Sequence, residues 1–228
     1  MTVAIHQPNF LPWLGYFYKL SICDCFVFLD DAQFSKNSFI NRNKIKTPRG
    51  ADWLTLPVQS SGKFGQNINE VRINNFADTN KKILTTIKMN YSKAEYFKQY
   101  FPELEEIFNN SSENLSELNI NLILWIYKIL QINKQFYYSS KILDVQGSAT
   151  EKLISICEKL ECNTYLSGFG GLKYQEEELF SAANIELKIY NFNHPQYSQL
   201  WGEFLPNLSI LDLILNCGEE GRDLLGAG

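Results

Sequence analysis

Val3-Ala4-Ile5, the turn His6-Gln7-Pro8-Asn9-Phe10-Leu11-Pro12, the stretch 13–22 and the apolar run Cys25-Phe26-Val27-Phe28-Leu29 together decide the fold. A short apolar run, a proline-punctuated turn, a segment of helical spacing and a second apolar run make a strand, helix, strand unit. The second half repeats the theme. Residues 135–143 read as a strand, and Ser148-Ala149-Thr150-Glu151 is a capping box ahead of the helically spaced Leu153, Ile154, Cys157 and Leu160. A short strand over 163–166, a helix over 176–183 and a strand over 185–192 follow. This alternation predicts an α/β fold, a mostly parallel doubly wound sheet with helices on both faces. Such sheets place ligands at the carboxyl ends of their strands, beside a topological switch, so the site is expected in the loops that follow strands.

The middle differs in character. Residues 52–58, with Trp53, Leu54, Leu56 and Val58, and residues 70–73 read as short strands around the loop Ser60-Ser61-Gly62-Lys63-Phe64-Gly65. From 79 to 127 the spacing is helical, with Ile83, Ile87 and Tyr91 on one face and Leu118, Leu122, Trp125 and Ile129 on another. The expectation is one α/β domain, 1–228, carrying a hairpin and helical insertion or lid at 52–130. A last helix over 208–217 stops at Gly218, a residue suited to a helix end.

The 228 residues are 45% hydrophobic, 14% aromatic and 20% charged, a globular composition too rich in core material for a disordered chain. A net charge of −4 gives no global basic field, so nucleic acid is not an expected partner and an anionic ligand must be held locally. The start lacks the pattern of a secretory signal, and the apolar stretch near 118–132 is interrupted by Asn119, Asn121, Lys128 and Gln131, so no membrane insertion and a cytoplasmic location are expected. The cysteines, Cys23, Cys25, Cys157, Cys162 and Cys217, match no zinc spacing and read as reduced structural thiols. No metal ligand set is read from the sequence.

Three clusters carry chemistry-bearing side chains at the predicted sheet edge. In the first loop, His6 stands at the end of the leading strand, and Gln7, Asn9, Tyr16 and Lys19 flank a helix start whose free N–H groups suit a phosphate. The second apolar run ends in Asp30-Asp31, of which alternation gives one to the site, Asp30 being preferred. It leads into a basic, amide-rich run containing Asn41, Arg42, Asn43 and Lys46, equipment for a phosphate or carboxylate. The third cluster is Ser167-Gly168-Phe169-Gly170-Gly171 with Tyr174, a glycine-rich loop that can cradle an anion on backbone N–H groups. His6 and Asp30 are the candidate catalytic residues and the others are candidate binding residues.

The motif His6-Gln7-Pro8-x-Phe10-x-Pro12-Trp13-x-Gly15-Tyr16 resembles the WbqC-like protein family, as do the segment 30–46, Tyr165-Leu166-Ser167-Gly168 and Phe204-x-Pro206-x-Leu208-Ser209-Ile210-Leu211-Asp212-Leu213. The resemblance implies a bacterial protein of O-antigen, capsule or other surface-polysaccharide biosynthesis. More distantly, Phe10-x-Pro12-Trp13-x-Gly15-Tyr16 is similar to the HxGH phosphate-binding signature of nucleotidyltransferases and pantothenate synthetase-like ligases, with Trp13 and Tyr16 at the two histidine positions. The reading that follows is an enzyme modifying a nucleotide-linked amino sugar by acyl or aminoacyl transfer through an activated carboxylate. His6 or Asp30 would take a proton from the attacking amine, and an adenylating step would require ATP and Mg²⁺. The rivals are a glycosyltransferase-like enzyme with a metal on Asp30-Asp31, and a noncatalytic sugar-nucleotide or glycan-binding module with Trp13, Tyr16, Trp53 and Trp201 as platforms.

Overall fold

A computed structural model describes residues 1–171 and 175–226. In chain order its elements are β1 (Thr2–His6), α1 (Leu14–Ser21), β2 (Cys25–Phe28), β3 (Arg42–Thr47), β4 (Gly50–Thr55), α2 (Phe76–Tyr91), α3 (Phe97–Asn110), α4 (Leu115–Ile129), β5 (Gln135–Tyr138), α5 (Ala149–Lys159), β6 (Thr164–Ser167), α6 (Glu177–Ala182), β7 (Glu186–Ile189) and α7 (Ile210–Cys217). Five strands form one sheet in the order β5-β2-β1-β6-β7, every neighbouring pair parallel. β3 and β4 form a separate antiparallel pair.

Alternation along the central strands assigns their side chains to two apolar layers. Ala4, Phe26, Phe28 and Leu166 point into the larger core, which continues through α1, α2, α3, α4 and α7. Val3, Ile5, Cys25, Val27 and Tyr165 point the other way, onto Ile156 and Cys157 of α5 and Phe180 of α6. The sheet is thus covered on both faces, as the sequence predicts. The α5 helix opens on the expected Ser148–Glu151 capping box, and α7 ends at Gly218, whose φ of 58° places it in the left-handed region.

The hairpin is not where the sequence places it. β3 pairs with β4 from Arg42↔Thr55 to Thr47↔Gly50, around the turn Thr47-Pro48-Arg49-Gly50. The expected partners 52–58 and 70–73 share only an isolated bridge, Val58↔Ile73. Polar residues in β3 hid it, because the buried Asn43 and Lys46 are satisfied by hydrogen bonds instead of packing as apolar side chains. The helical middle resolves into α2, α3 and α4, and Ile83, Ile87, Tyr91, Leu118, Leu122 and Trp125 are buried as expected. The strand expected over 135–143 stops at Tyr138, where a 3-10 turn, Ser139–Lys141, begins.

All five cysteines are free thiols, with Cys25 Sγ and Cys162 Sγ 3.8 Å apart. Among the described residues, no helix is long and apolar enough to cross a membrane.

Candidate functional site

The chain leaves β1 toward β2 on one side, while β6 joins β1 on the other, so the topological switch lies between β1 and β6. The two sides separate at different heights. β1 pairs with β2 as far as His6↔Phe28, but with β6 only as far as Ala4↔Leu166. Beyond that point β1 and β6 diverge, and the gap is a cavity of about 350 Å³. Ile5 and His6 from β1, Trp13 and Lys19 from α1 and its cap, Ser167–Gly171 from the end of β6, and Tyr190–Phe192 from the end of β7 line it, with Tyr165 and Gln175.

Lys19 occupies the gap for a reason visible in the ladder. Met1 O accepts the Asn163 and Thr164 N–H groups, so odd-numbered carbonyls of β1 face β6, and by the strand's period of two Ile5 O does as well. With β6 gone, Ile5 O has lost its ladder donor, and Lys19 Nζ supplies one at 2.8 Å. Lys19 is 3% exposed. Among the described residues no carboxylate pairs with it; the ring of Tyr165 lies 5.7 Å from its Nζ. Burial lowers its pKa from the ordinary lysine value to about 7, with the neighbouring Cys23 opposing the shift.

His6 is partly buried against the same gap. Its Nδ1 lies 3.0 Å from Gln7 O, a partner that accepts only, so Nδ1 carries the proton and Nε2 is left with its lone pair. Burial and the nearby Lys19 charge lower its pKa to about 3, against a smaller opposing contribution from the Gln7 carbonyl. The imidazole is neutral at physiological pH. Its ring meets Tyr16 edge-on at 4.7 Å.

The roof over α1 is aromatic. Trp13, the residue capping α1, lays its indole across the first turn, where a Cβ on Gly15 would sit 2.2 Å from Trp13 Cη2, so only glycine fits. Phe192 packs edge-on to Trp13 at 5.5 Å, and the hydroxyl of Tyr190 donates to Gly15 O. On the facing wall, Gly171 approaches Ser167 and Gln175 so closely that a Cβ there would lie 2.5 Å from Ser167 Oγ. Phe169, 62% exposed, stands at the rim.

The cavity thus gathers His6, Lys19, Ser167 and Gly168 from two of the three expected clusters. Gln7 contributes its carbonyl to His6 and Tyr16, and the Tyr16 ring is buried between Phe17 and Phe26. Asn9 is buried in the same turn. Asp30 lies at the end of β2 and accepts from Ser139 Oγ, Ser140 N and Ser140 Oγ, fixing the 3-10 turn after β5. Asp31 binds Ser139 and pairs with Lys152 at 2.8 Å. Asn41 donates to Leu56 O and Asn43 to Leu11 O. Arg42 stacks on Trp53 at 4.2 Å, and Lys46 donates to Gln199 Oε1 and Glu203 O. Tyr174 lies outside the described residues. The sequence does not mark Trp13, Tyr165, Gln175, Tyr190 and Phe192 as site residues of an enzyme; the rule that places His6 at a strand's carboxyl end applies equally to Tyr190-Asn191-Phe192 after β7.

A parallel sheet opened at its switch point, with a neutral histidine and a lysine that has no carboxylate partner among the described residues in the opening, defines an α/β protein with a crevice at the carboxyl ends of its strands. The chain belongs to the WbqC-like protein family, which matches residues 7–224. It is 36% identical over 225 residues to Uncharacterized protein Rv1507c of Mycobacterium tuberculosis, covering 98% of this chain and 96% of that one. A shorter match, 30% identical over 124 residues, relates 54% of the chain to 28% of the Tol-Pal system protein TolB of Wigglesworthia glossinidia brevipalpis. No solved structure matches.

Proposed function

We propose that this chain is a group-transfer enzyme of surface-polysaccharide biosynthesis, binding a nucleotide-linked amino sugar in the crevice between β1 and β6 and acylating its amine from an activated carboxylate. The observation that supports it is the buried Lys19 amine at the switch point, about half protonated at neutral pH and without a carboxylate partner among the described residues. A buried charge is costly until an opposite one joins it, so the crevice favours an anion, and a diphosphate linkage is the anion a nucleotide sugar carries. The N–H groups of the glycine loop can face the same phosphates.

His6 Nε2 is the acceptor for an attacking amine. A bound anion favours the protonated forms of both His6 and Lys19, so substrate binding itself raises the basicity of His6. The catalytic duty thereby moves from the pair His6 and Asp30 to His6 and Lys19, because the oxygens of Asp30 are engaged by Ser139 and Ser140. The same engagement weakens the metal-dependent glycosyltransferase reading.

Thermal shift with nucleotides, nucleotide sugars and nucleotide amino sugars tests the proposal, since a ligand of the folded state raises Tm. A nucleotide amino sugar is expected to stabilise the wild type and to lose most of that effect in Lys19→Met. Equal stabilisation of both proteins, or no response to any nucleotide sugar, would sink it. Stabilisation without turnover on any activated acyl donor would move the assignment to a binding module.

A further inference from the structure

Among the described residues two lysines are buried, and they are built differently. Lys46 is 1% exposed and spends its ammonium on Gln199 Oε1 at 2.9 Å and Glu203 O at 2.6 Å. That is the arrangement of a structural strut. Lys19 makes one hydrogen bond, to Ile5 O, and lines a cavity large enough for a small molecule. An ammonium has three donors, so the remaining N–H positions are uncommitted within the protein. An amine held by one carbonyl, without a carboxylate beside it and with open space in front, is equipped to react as well as to attract charge.

We propose that Lys19 is a carbonyl-trapping nucleophile, whose ε-amine forms an imine with the aldehyde or ketone of a phosphate-bearing ligand seated in the crevice. The phosphate part of this assignment rests on the anion-binding reading above, with the backbone of the glycine-rich loop after β6 holding the phosphate while Lys19 reacts as the neutral amine; the amine chemistry does not. The lone pair of neutral Nζ attacks the carbonyl carbon, and the proton that nitrogen gives up is the one the carbonyl oxygen gains. The resulting carbinolamine expels its hydroxyl, which takes the second proton of Nζ and departs as water, and a C=N bond is left. No electrons are exchanged and no co-reactant is needed.

The surroundings favour the neutral amine. The groups facing Lys19 are His6 from β1, Cys23 from the turn after α1, and Tyr165 from β6, with Tyr190 at the cavity wall. His6 is neutral, and burial holds the Cys23 thiol and the Tyr165 phenol protonated at physiological pH. With its pKa near 7, about half of Lys19 is unprotonated at neutral pH, whereas an ordinary lysine is almost wholly charged.

Pyridoxal 5′-phosphate, an aldehyde that carries a phosphate, is the probe. The wild-type protein is incubated with it at graded pH, reduced with borohydride to fix any imine as a secondary amine, and mapped by peptide mass spectrometry. The expected result is preferential labelling of Lys19, half-maximal near pH 7, slowed by excess inorganic phosphate. Label confined to surface lysines, or labelling of Lys19 that rises only in the range of ordinary lysines, would overturn the proposal. Lys19→Arg retains a donor for Ile5 O but cannot form the imine, so it is expected to lose this label. Equal rates with pyridoxal and with its phosphate would overturn the assignment of a phosphorylated ligand. Labelling of Lys19 without a thermal response to nucleotide sugars would defeat the functional reading alone, and the converse would defeat this inference alone.

Discussion

His6 and Lys19 owe their chemistry to burial, and burial has a signature in stability. For His6 the folded pKa, about 3, lies below the unfolded value of 6.5. Between those values the unfolded chain binds more protons, so stability falls as pH drops from 6.5 toward 3, by at most about 1.4 kcal/mol per unit. Asp212 works in the opposite sense: burial raises its pKa to about 6, and its contribution is lost as pH rises from 3.8 through 6. The two effects overlap, so the difference between variants isolates one of them. His6→Asn keeps an amide donor for Gln7 O and removes the titration; in urea midpoints measured from pH 4 to 7, the variant's stability relative to the wild type is expected to rise as the pH falls below 6.5.

Gly15 shows the same scale acting through shape. On helix propensity alone, Gly15→Ala would gain about 1 kcal/mol. Instead the new methyl meets the Trp13 indole, and displacing it from the cavity roof is expected to cost about 1–3 kcal/mol net. A lower Tm together with altered tryptophan fluorescence would show it; a higher Tm would mean that the indole moves freely.

At the scale of elements, the parallel sheet was legible because its strands are apolar runs and its helices are amphipathic. The edge of the sheet was legible for the same reason, which is why His6, Lys19, Ser167 and Gly168 fall at one cavity. In the run 41–46, Asn and Lys in a strand look like ligand-binding equipment in the sequence because their partners are not visible there. Asn43 in fact holds the first loop through Leu11 O, and Lys46 holds the segment containing Gln199 and Glu203. Those partners lie far along the chain, where spacing carries no signal. Asp30 is the same case: its three hydrogen bonds tie the end of β2 to the turn after β5. Asp30→Ala is expected to cost about 2–4 kcal/mol by leaving that turn unsatisfied, while ligand-induced thermal shifts persist. Loss of the shift with stability unchanged would return Asp30 to the site.

Across the whole molecule, the helical middle is bound into the same core as the sheet. The larger apolar cluster runs from Ala4 of β1 through Ile87, Leu104 and Leu122 to Leu211 of α7. Polar contacts join the same parts. Asn119 of α4, fully buried, donates to Pro8 O and to Ile40 O, both at 2.8 Å, and so holds the loop after β1 from the far side. Tyr91, the last residue of α2, donates to Asp212 of α7 and accepts from Lys46 N of β3. A segment attached in this way, read in sequence as an insertion or lid of one domain, is expected to unfold with the sheet. Urea unfolding followed by far-ultraviolet circular dichroism, dominated by helix, and by tryptophan fluorescence is expected to give one coincident transition. Asn119→Ala leaves two buried carbonyls without their donor and is expected to move both signals together, by about 2–5 kcal/mol. Two transitions, with the helical signal lost first in that variant, would make 52–130 a unit of its own.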